Sequence, residues 1–320
     1  MSTVVEIKNL TKDYELGFWR KRKVRALDDL SLTINRGEIF GFLGANGAGK
    51  TTTIKLLMRL IFPTSGTARI LDRDLQDVRM HERIGYLPEN PYFYDYLTAR
   101  EFLHYCAEIF GFSAAERKQR ATALLARVKL DERRWDTQLR KFSKGMLQRV
   151  GLAQSLINDP EIVFLDEPMS GLDPIGRREV RDLIATLRQE GKTVFMCTHI
   201  LSDIEVLCDR IGIMRGGKLS YLGHLDELQQ KSGEETVFEV VVKGTDARSL
   251  EEHLPGAGSN INIVETTSGL RVQVARENSI DEVIAALRKS GGQLVSVQPV
   301  RQSLEELFVS EAGQQSAAND

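Results

Sequence analysis

Four short runs of the chain are apolar at nearly every position: Glu38 to Leu43, Glu161 to Glu167, Thr193 to Thr198 and Arg210 to Met214. Runs of this length without alternation predict strands buried on both faces. A fifth, Ile84 to Glu89, reads as a strand that ends at a proline. Between these runs the period lengthens to that of a helix. Thr52 to Leu60 predicts a helix, and Arg177 to Glu190 a charged, amphipathic one. From Thr98 to about Leu130 the pattern is helical, with Phe102, Leu103, Cys106, Ile109 and Phe110 on a core-facing stripe and Thr98 as N-cap. Ser143 opens a further helix to about Asn158, and Ile200 to Leu207 is helical. Val4 to Ile7 and Leu30 to Ile34 alternate like half-buried strands, and Pro63 to Gly66 reads as a turn. Apolar strands alternating with helices argue for an α/β domain with a mostly parallel sheet flanked by helices.

The character changes near Ser232 and Gly233. Strands are expected at Val237 to Val242, Gly269 to Val274 and Leu294 to Val300. Helices are expected at Ala247 to Leu254 and from an N-cap at Ser279 to Lys289, with a last helical turn at Leu304 to Val309. That order predicts a small α+β domain of ferredoxin-like type. The expected division is residues 1–230 with a helical part at about 90–160, then 235–310, then a disordered polar tail at 311–320.

Composition narrows the classes. Of 320 residues 42% are hydrophobic and 28% charged, as in soluble globular proteins. A net charge of −2 gives no global field for nucleic acid or membrane, so no nucleic-acid partner is expected. The basic run Trp19 to Arg25 is one short cluster, read as a solvated hairpin tip before a lipid or nucleic-acid contact. Cys106, Cys197 and Cys208 have no zinc or C-x-x-C spacing, which fits a reducing compartment. The first ten residues lack the regions of a signal peptide, and no apolar run approaches the ~18 residues of a membrane helix. These features point to the cytosol, with any membrane role through a partner.

The chemistry begins at Gly44-Ala45-Asn46-Gly47-Ala48-Gly49-Lys50-Thr51, which reads G-x-x-x-x-G-K-[ST] between a predicted strand and a predicted helix. Its glycines let backbone N–H groups turn inward around phosphate oxygens, and the helix N-terminus adds its dipole. Lys50 reaches the β- and γ-phosphates, and the Thr51 hydroxyl can hold Mg²⁺. A glycine-rich turn before a helix is the plain alternative, and it explains neither Lys50 nor Thr51. Asp166 and Glu167 end an apolar strand as adjacent acids, a like-charge pair that a metal and a phosphate justify. Asp166 can hold Mg²⁺, directly or through water, and Glu167 sits where a base could orient a water against the γ-phosphate. His199 follows a buried strand, as a sensor of the γ-phosphate would, although a lone histidine is more often structural.

With these motifs in this order, residues 1 to about 225 resemble the nucleotide-binding subunit of an ATP-binding cassette (ABC) transporter. Gly44 to Thr51, followed by Thr52, resembles its Walker A loop, and Ile162 to Asp166 its Walker B strand with Glu167 as the catalytic acid. Tyr14 stands where the family stacks an aromatic ring on adenine. Phe142 to Arg149 is similar to the signature motif, Ser170 to Asp173 to the D-loop, and His199 to the switch histidine. The resemblance implies a P-loop NTPase fold, MgATP, and hydrolysis at a head-to-tail dimer interface. There Ser143, Gly145 and Asp173 meet a partner's nucleotide. It also implies separate integral-membrane permease subunits and a place on the cytoplasmic face of the inner membrane. The chain departs from the family pattern at Lys144 and Met146, which replace Gly and Gln of the signature, and at Glu89, which stands at the Q-loop glutamine. A carboxylate there can still hold Mg²⁺ or water. Both departures resemble bacterial exporters with a separate permease, whose appendages the C-terminal domain also resembles. A soluble ABC ATPase without a transport role is the alternative: such translation factors carry two cassettes, and the chromosome-maintenance type has long heptads between its Walker motifs. This chain has one Walker A loop and no heptads between Leu57 and Arg140.

Overall fold

The computed structural model describes residues 2–17, 22–225, 227, 237–254, 261–266, 269–274 and 278–300. The chain divides into two compact units, residues 1–225 and 226–320. In the first, the apolar runs become β3 (Ile39–Leu43), β6 (Ile84–Leu87), β7 (Ile162–Asp166), β8 (Thr193–Thr198) and β9 (Arg210–Arg215). They pair in parallel in the order β9-β3-β8-β7-β6, and β10 (Lys218–His224) adds an antiparallel edge. Every residue of β3, β7 and β8 is buried, which is why these strands do not alternate in polarity. Phe40, Phe42, Phe164 and Phe195 meet at their centre, with Phe42 and Phe195 centroids 5.3 Å apart.

A second sheet had not been foreseen. β1 (Thr3–Leu16) and β2 (Arg22–Asn35) form a long antiparallel ribbon, extended by β4 (Ser65–Ile70) and β5 (Arg73–Asp74) in the order β2-β1-β4-β5. The expected turn at Pro63 to Gly66 is therefore half strand, since β4 starts at Ser65. Of the basic run, Arg22 to Arg25 lie in β2 and are exposed, whereas Trp19 to Lys21 lie outside the described residues.

The helices are α1 (Lys50–Leu57), α2 (Ala99–Ile109), α3 (Ala114–Arg127), α4 (Lys144–Ser155), α5 (Pro174–Gln189) and α6 (Leu201–Leu207). Thr98 caps α2 as predicted, in a capping box with Glu101. The single helical stretch expected from Thr98 to Leu130 is two helices, because a second capping box between Ser113 and Glu116 starts α3 afresh. α4 carries Ser143 as its N-cap, with the hydroxyl accepting from Met146 N at 3.2 Å. α2, α3 and α4 pack together, and α4 also packs on β6.

The second unit has its own core, with Val240, Val242, Val272, Val274 and Val283 at its centre. Its order is β11 (Val237–Lys243), α7 (Ala247–Glu251), β12 (Ile261–Thr266), β13 (Gly269–Val274), α8 (Asn278–Lys289) and β14 (Gln293–Val300). The antiparallel sheet runs β12-β13-β11-β14, the ferredoxin-like β-α-β-β-α-β arrangement. β12 was missed in sequence. α8 starts at Asn278, so Ser279 lies inside its first turn and is not the cap. The helical turn expected at Leu304 to Val309 and the tail at 311–320 lie outside the described residues.

Candidate nucleotide site

The parallel sheet decides the location of the site. β3, β8, β7 and β6 end together: Leu43 lies opposite Thr198, Asp166 opposite Cys197, and Leu87 opposite Leu165. The loops that leave these ends carry the phosphate loop, His199, Glu167 and Glu89, so four separate motifs meet on one edge, the usual place for a ligand in such a sheet.

The phosphate loop leaves β3 at Gly44 and enters α1 through Gly49, whose φ of +108° a side chain would strain. A Cβ there would also stand 2.7 Å from Ala26 O, so β2 lies against the loop. α1 has no side-chain cap, and its first intrahelical bond is donated by Thr53 N to Gly49 O at 2.9 Å. The N–H groups of Lys50, Thr51 and Thr52 precede that bond and are available to an anion. The ammonium of Lys50 lies inside the loop, donating to Gly44 O at 2.5 Å and Ala45 O at 3.2 Å. Ala45, Asn46 and Gly47 are exposed at its crown, and Ala48 is buried beneath. Tyr14 pairs with Val24 on β2, two residues before the Ala26 that touches the loop, and Lys12 Nζ stands 5.1 Å from the centre of its ring.

Asp166 is 1% exposed, and among the described residues neither carboxylate oxygen has a hydrogen-bond partner. Burial pushes its carboxyl up to about 6; the nearby Thr51 hydroxyl and Lys50 ammonium pull it down, while Glu89 and Glu167 add to the rise. A buried carboxylate with orphaned oxygens beside a hydroxyl is the donor set of a hard divalent cation, so the residues fit Mg²⁺. Glu89 is exposed near this cluster.

Glu167 has a φ of +50°, a left-handed conformation few non-glycine residues enter. Its Oε1 lies 2.8 Å from His199 Nδ1, and Thr198 Oγ1 donates to its Oε2 at 3.2 Å. Thus His199, read alone as ambiguous, is in contact with the acid. Thr198 was not singled out in sequence, and nothing in its local pattern distinguishes it from a strand residue.

The remaining predicted residues are elsewhere in this chain. A Cβ on Gly145 would lie 3.2 Å from Leu172 Cδ2, so the turn at Ser143 to Gly145 abuts the turn that precedes α5. Asp173 caps α5, accepting from Gly176 N at 2.8 Å. Among the described contacts none joins Ser143, Gly145 or Asp173 to the phosphate loop.

The profile of a family described as ABC transporter matches residues 27–170, and that of the ATP-binding protein DrrA1-3-like C-terminal domain matches residues 223–312. An uncharacterized ABC transporter ATP-binding protein of Synechocystis sp. is 42% identical over 309 residues, 96% of this chain and 84% of that one. A fluoroquinolones export ATP-binding protein of Mycobacterium tuberculosis is 39% identical over 228 residues, 71% and 72% of the two chains. A solved dimer of the ATP-binding cassette MJ0796, described as a post-hydrolysis state bound to ADP and Pi, aligns with a TM-score of 0.64 at 28% identity. It covers 69% of this chain and 98% of its own.

Proposed function

The chain belongs to the ATP-binding proteins of ABC transporters, and from that premise we propose that it drives export through a separate membrane permease. As a member it binds ATP and is an ATPase. The observation that carries the hydrolytic mechanism is the contact of Glu167 with His199, 2.8 Å apart, beside the orphaned carboxylate of Asp166.

In this reading the phosphate loop holds the β- and γ-phosphates through its N–H groups and Lys50, which also offsets the charge that develops there. Asp166 and Thr51, with Glu89 near them, would hold Mg²⁺, which would neutralise phosphate charge when bound. Glu167 takes a proton from the attacking water. The water oxygen bonds to the γ-phosphorus as the bond to the β–γ bridging oxygen breaks, leaving ADP and inorganic phosphate. With Glu167 ionised, His199 Nδ1 is the donor of their shared hydrogen bond and keeps the carboxylate aimed. Tyr14 stacks on adenine.

Ser143, Gly145 and Asp173 serve the nucleotide of a second copy packed head to tail. The dimeric form of the MJ0796 cassette supports this arrangement. Among the described residues no helix is long and apolar enough to cross a membrane. An apolar groove of about 730 Å³ lies between the segment after α1, β6, α2 and the end of α4, lined by the exposed side chains of Leu60, Phe62, Val78 and Ile109 and the less exposed Phe110. In this reading that groove receives a helix of the permease, and the chain lies on the cytoplasmic face of the membrane. The relative named for fluoroquinolone export supports the direction of transport.

Glu167→Gln tests the reading. The variant should bind MgATP, lose turnover by orders of magnitude, and elute as a dimer in size-exclusion chromatography only with ATP. A variant that binds ATP but stays monomeric contradicts the shared site.

A further inference from the structure

Gln148 lies on the inner face of α4 and is 2% exposed. Its side chain does not serve its own helix. Nε2 donates to the main-chain carbonyls of Glu167 at 3.2 Å and Pro168 at 3.0 Å, which uses both amide hydrogens. These carbonyls follow β7, where the chain leaves the sheet. Glu167 has the left-handed φ of +50° noted above, and such a conformation persists only where its surroundings enforce it. Three contacts do so. Glu167 N donates to Cys197 O at 2.9 Å, Ser170 N donates to Glu167 O at 3.0 Å, and Gln148 supplies the third. The first two are main-chain bonds that many sequences could make. The third depends on one side chain.

We propose that Gln148 is a positioning residue for hydrolysis: its amide holds the backbone of Glu167 so that the carboxylate meets His199 and Thr198. The proposal rests on the reading of Glu167 as the base. It adds a route between the two halves of the mechanism. α4 starts at Ser143, which in that reading touches the partner's nucleotide, and Gln148 stands about 7.5 Å along the same helix. A movement of α4 on closure therefore displaces the carbonyl of Glu167 unless the two hydrogen bonds break. Binding at one nucleotide is thereby coupled to the aim of the base at the other.

The test uses the full chain carrying Gln148→Met, which keeps length and approximate volume and removes both donors. kcat should fall roughly 10- to 100-fold, the usual cost of a misaimed catalytic group, with KM for ATP and the affinity for a fluorescent ATP analogue unchanged. In a Glu167→Gln background the same substitution should cost nothing further in residual turnover, because no base is left to aim. If Gln148→Met melts below the assay temperature, Gln148→Leu assayed at a temperature where it stays folded carries the test, as it too removes both donors and should show the same pattern. Wild-type kcat, or equal losses in both backgrounds, overturns the proposal. Wild-type turnover by Glu167→Gln alone rejects the reading of Glu167 as base. An inert Glu167→Gln beside an unimpaired Gln148→Met rejects only the positioning role.

Discussion

Asp166 without a bound cation carries a cost to the fold. Its carboxyl is buried, and burial raises its pKa from an ordinary 3.8 to about 6. An acid with a raised folded pKa binds its proton more tightly when folded, so stability falls as pH rises between about 4 and 6 and stays lower above. Two pH units correspond to at most about 3 kcal/mol. Asp166→Asn keeps the shape and removes the charge. Without nucleotide or divalent cation, it should melt higher than wild type at pH 8, and the advantage should shrink to nothing near pH 4. A variant that melts at or below wild type at pH 8 shows that the carboxylate is compensated in the fold. The same substitution should abolish the stabilisation that MgATP gives the wild type. Stability in this apo form and function in the loaded one thus pull in opposite directions at a single position.

The element that sets the site's geometry is α4. It packs on β6 so closely that a Cβ on Gly85 would stand 2.0 Å from Ser155 O, a backbone atom that cannot swing aside. Only glycine permits that approach, and α4 in turn carries Ser143 at one end and Gln148 at its middle. Gly85→Ala should therefore lift the helix away from the strand. A loss of about 1–3 kcal/mol in urea unfolding is expected, the usual cost of overpacking, with a further drop in ATP turnover of the folded protein. An unchanged midpoint would mean that the helix is free to slide. By contrast, α2 and α3 are secured by their own ends, each through a capping box of about 1 kcal/mol. That is why Thr98 could be read from sequence and the seat of α4 could not.

At the scale of the whole molecule the first unit holds one half of each proposed site at separate places. Lys50 lies in the loop after β3, while Ser143 caps α4 and Gly145 abuts the turn before α5. Such a division makes sense in a head-to-tail pair and has a measurable consequence. Ser143→Arg should bind ATP nearly as the wild type does in the monomer, since the lost cap costs only about 1 kcal/mol of stability. It should fail to dimerise and to hydrolyse. Lys50→Ala should also be inactive. In a mixed dimer one site joins both substitutions and the other has neither, so ATPase activity should reappear on mixing. Mixtures as inactive as each variant alone would show that two intact sites are needed, and loss of ATP binding by monomeric Ser143→Arg would place the signature turn in its own chain's site.

The sequence by itself determined whatever is written in neighbouring residues. The phosphate loop is eight consecutive positions whose backbone does the binding, so its motif was complete before folding. The buried strands β3, β7 and β8 were legible because burial on both faces leaves them apolar at nearly every position. β4 is exposed over its first three residues, β12 has no fully buried position and β5 has only two residues, so strand pairing defines them and no buried apolar run does. The same reason governs the site. Glu167 and His199 are 32 residues apart and Gln148 and Glu167 are 19 apart, and neither pair shares a local pattern. Their contacts depend on strand register and on the depth at which α4 seats on β6. Only the tertiary structure fixes those, because they follow from pairing and close packing between elements far apart in the chain.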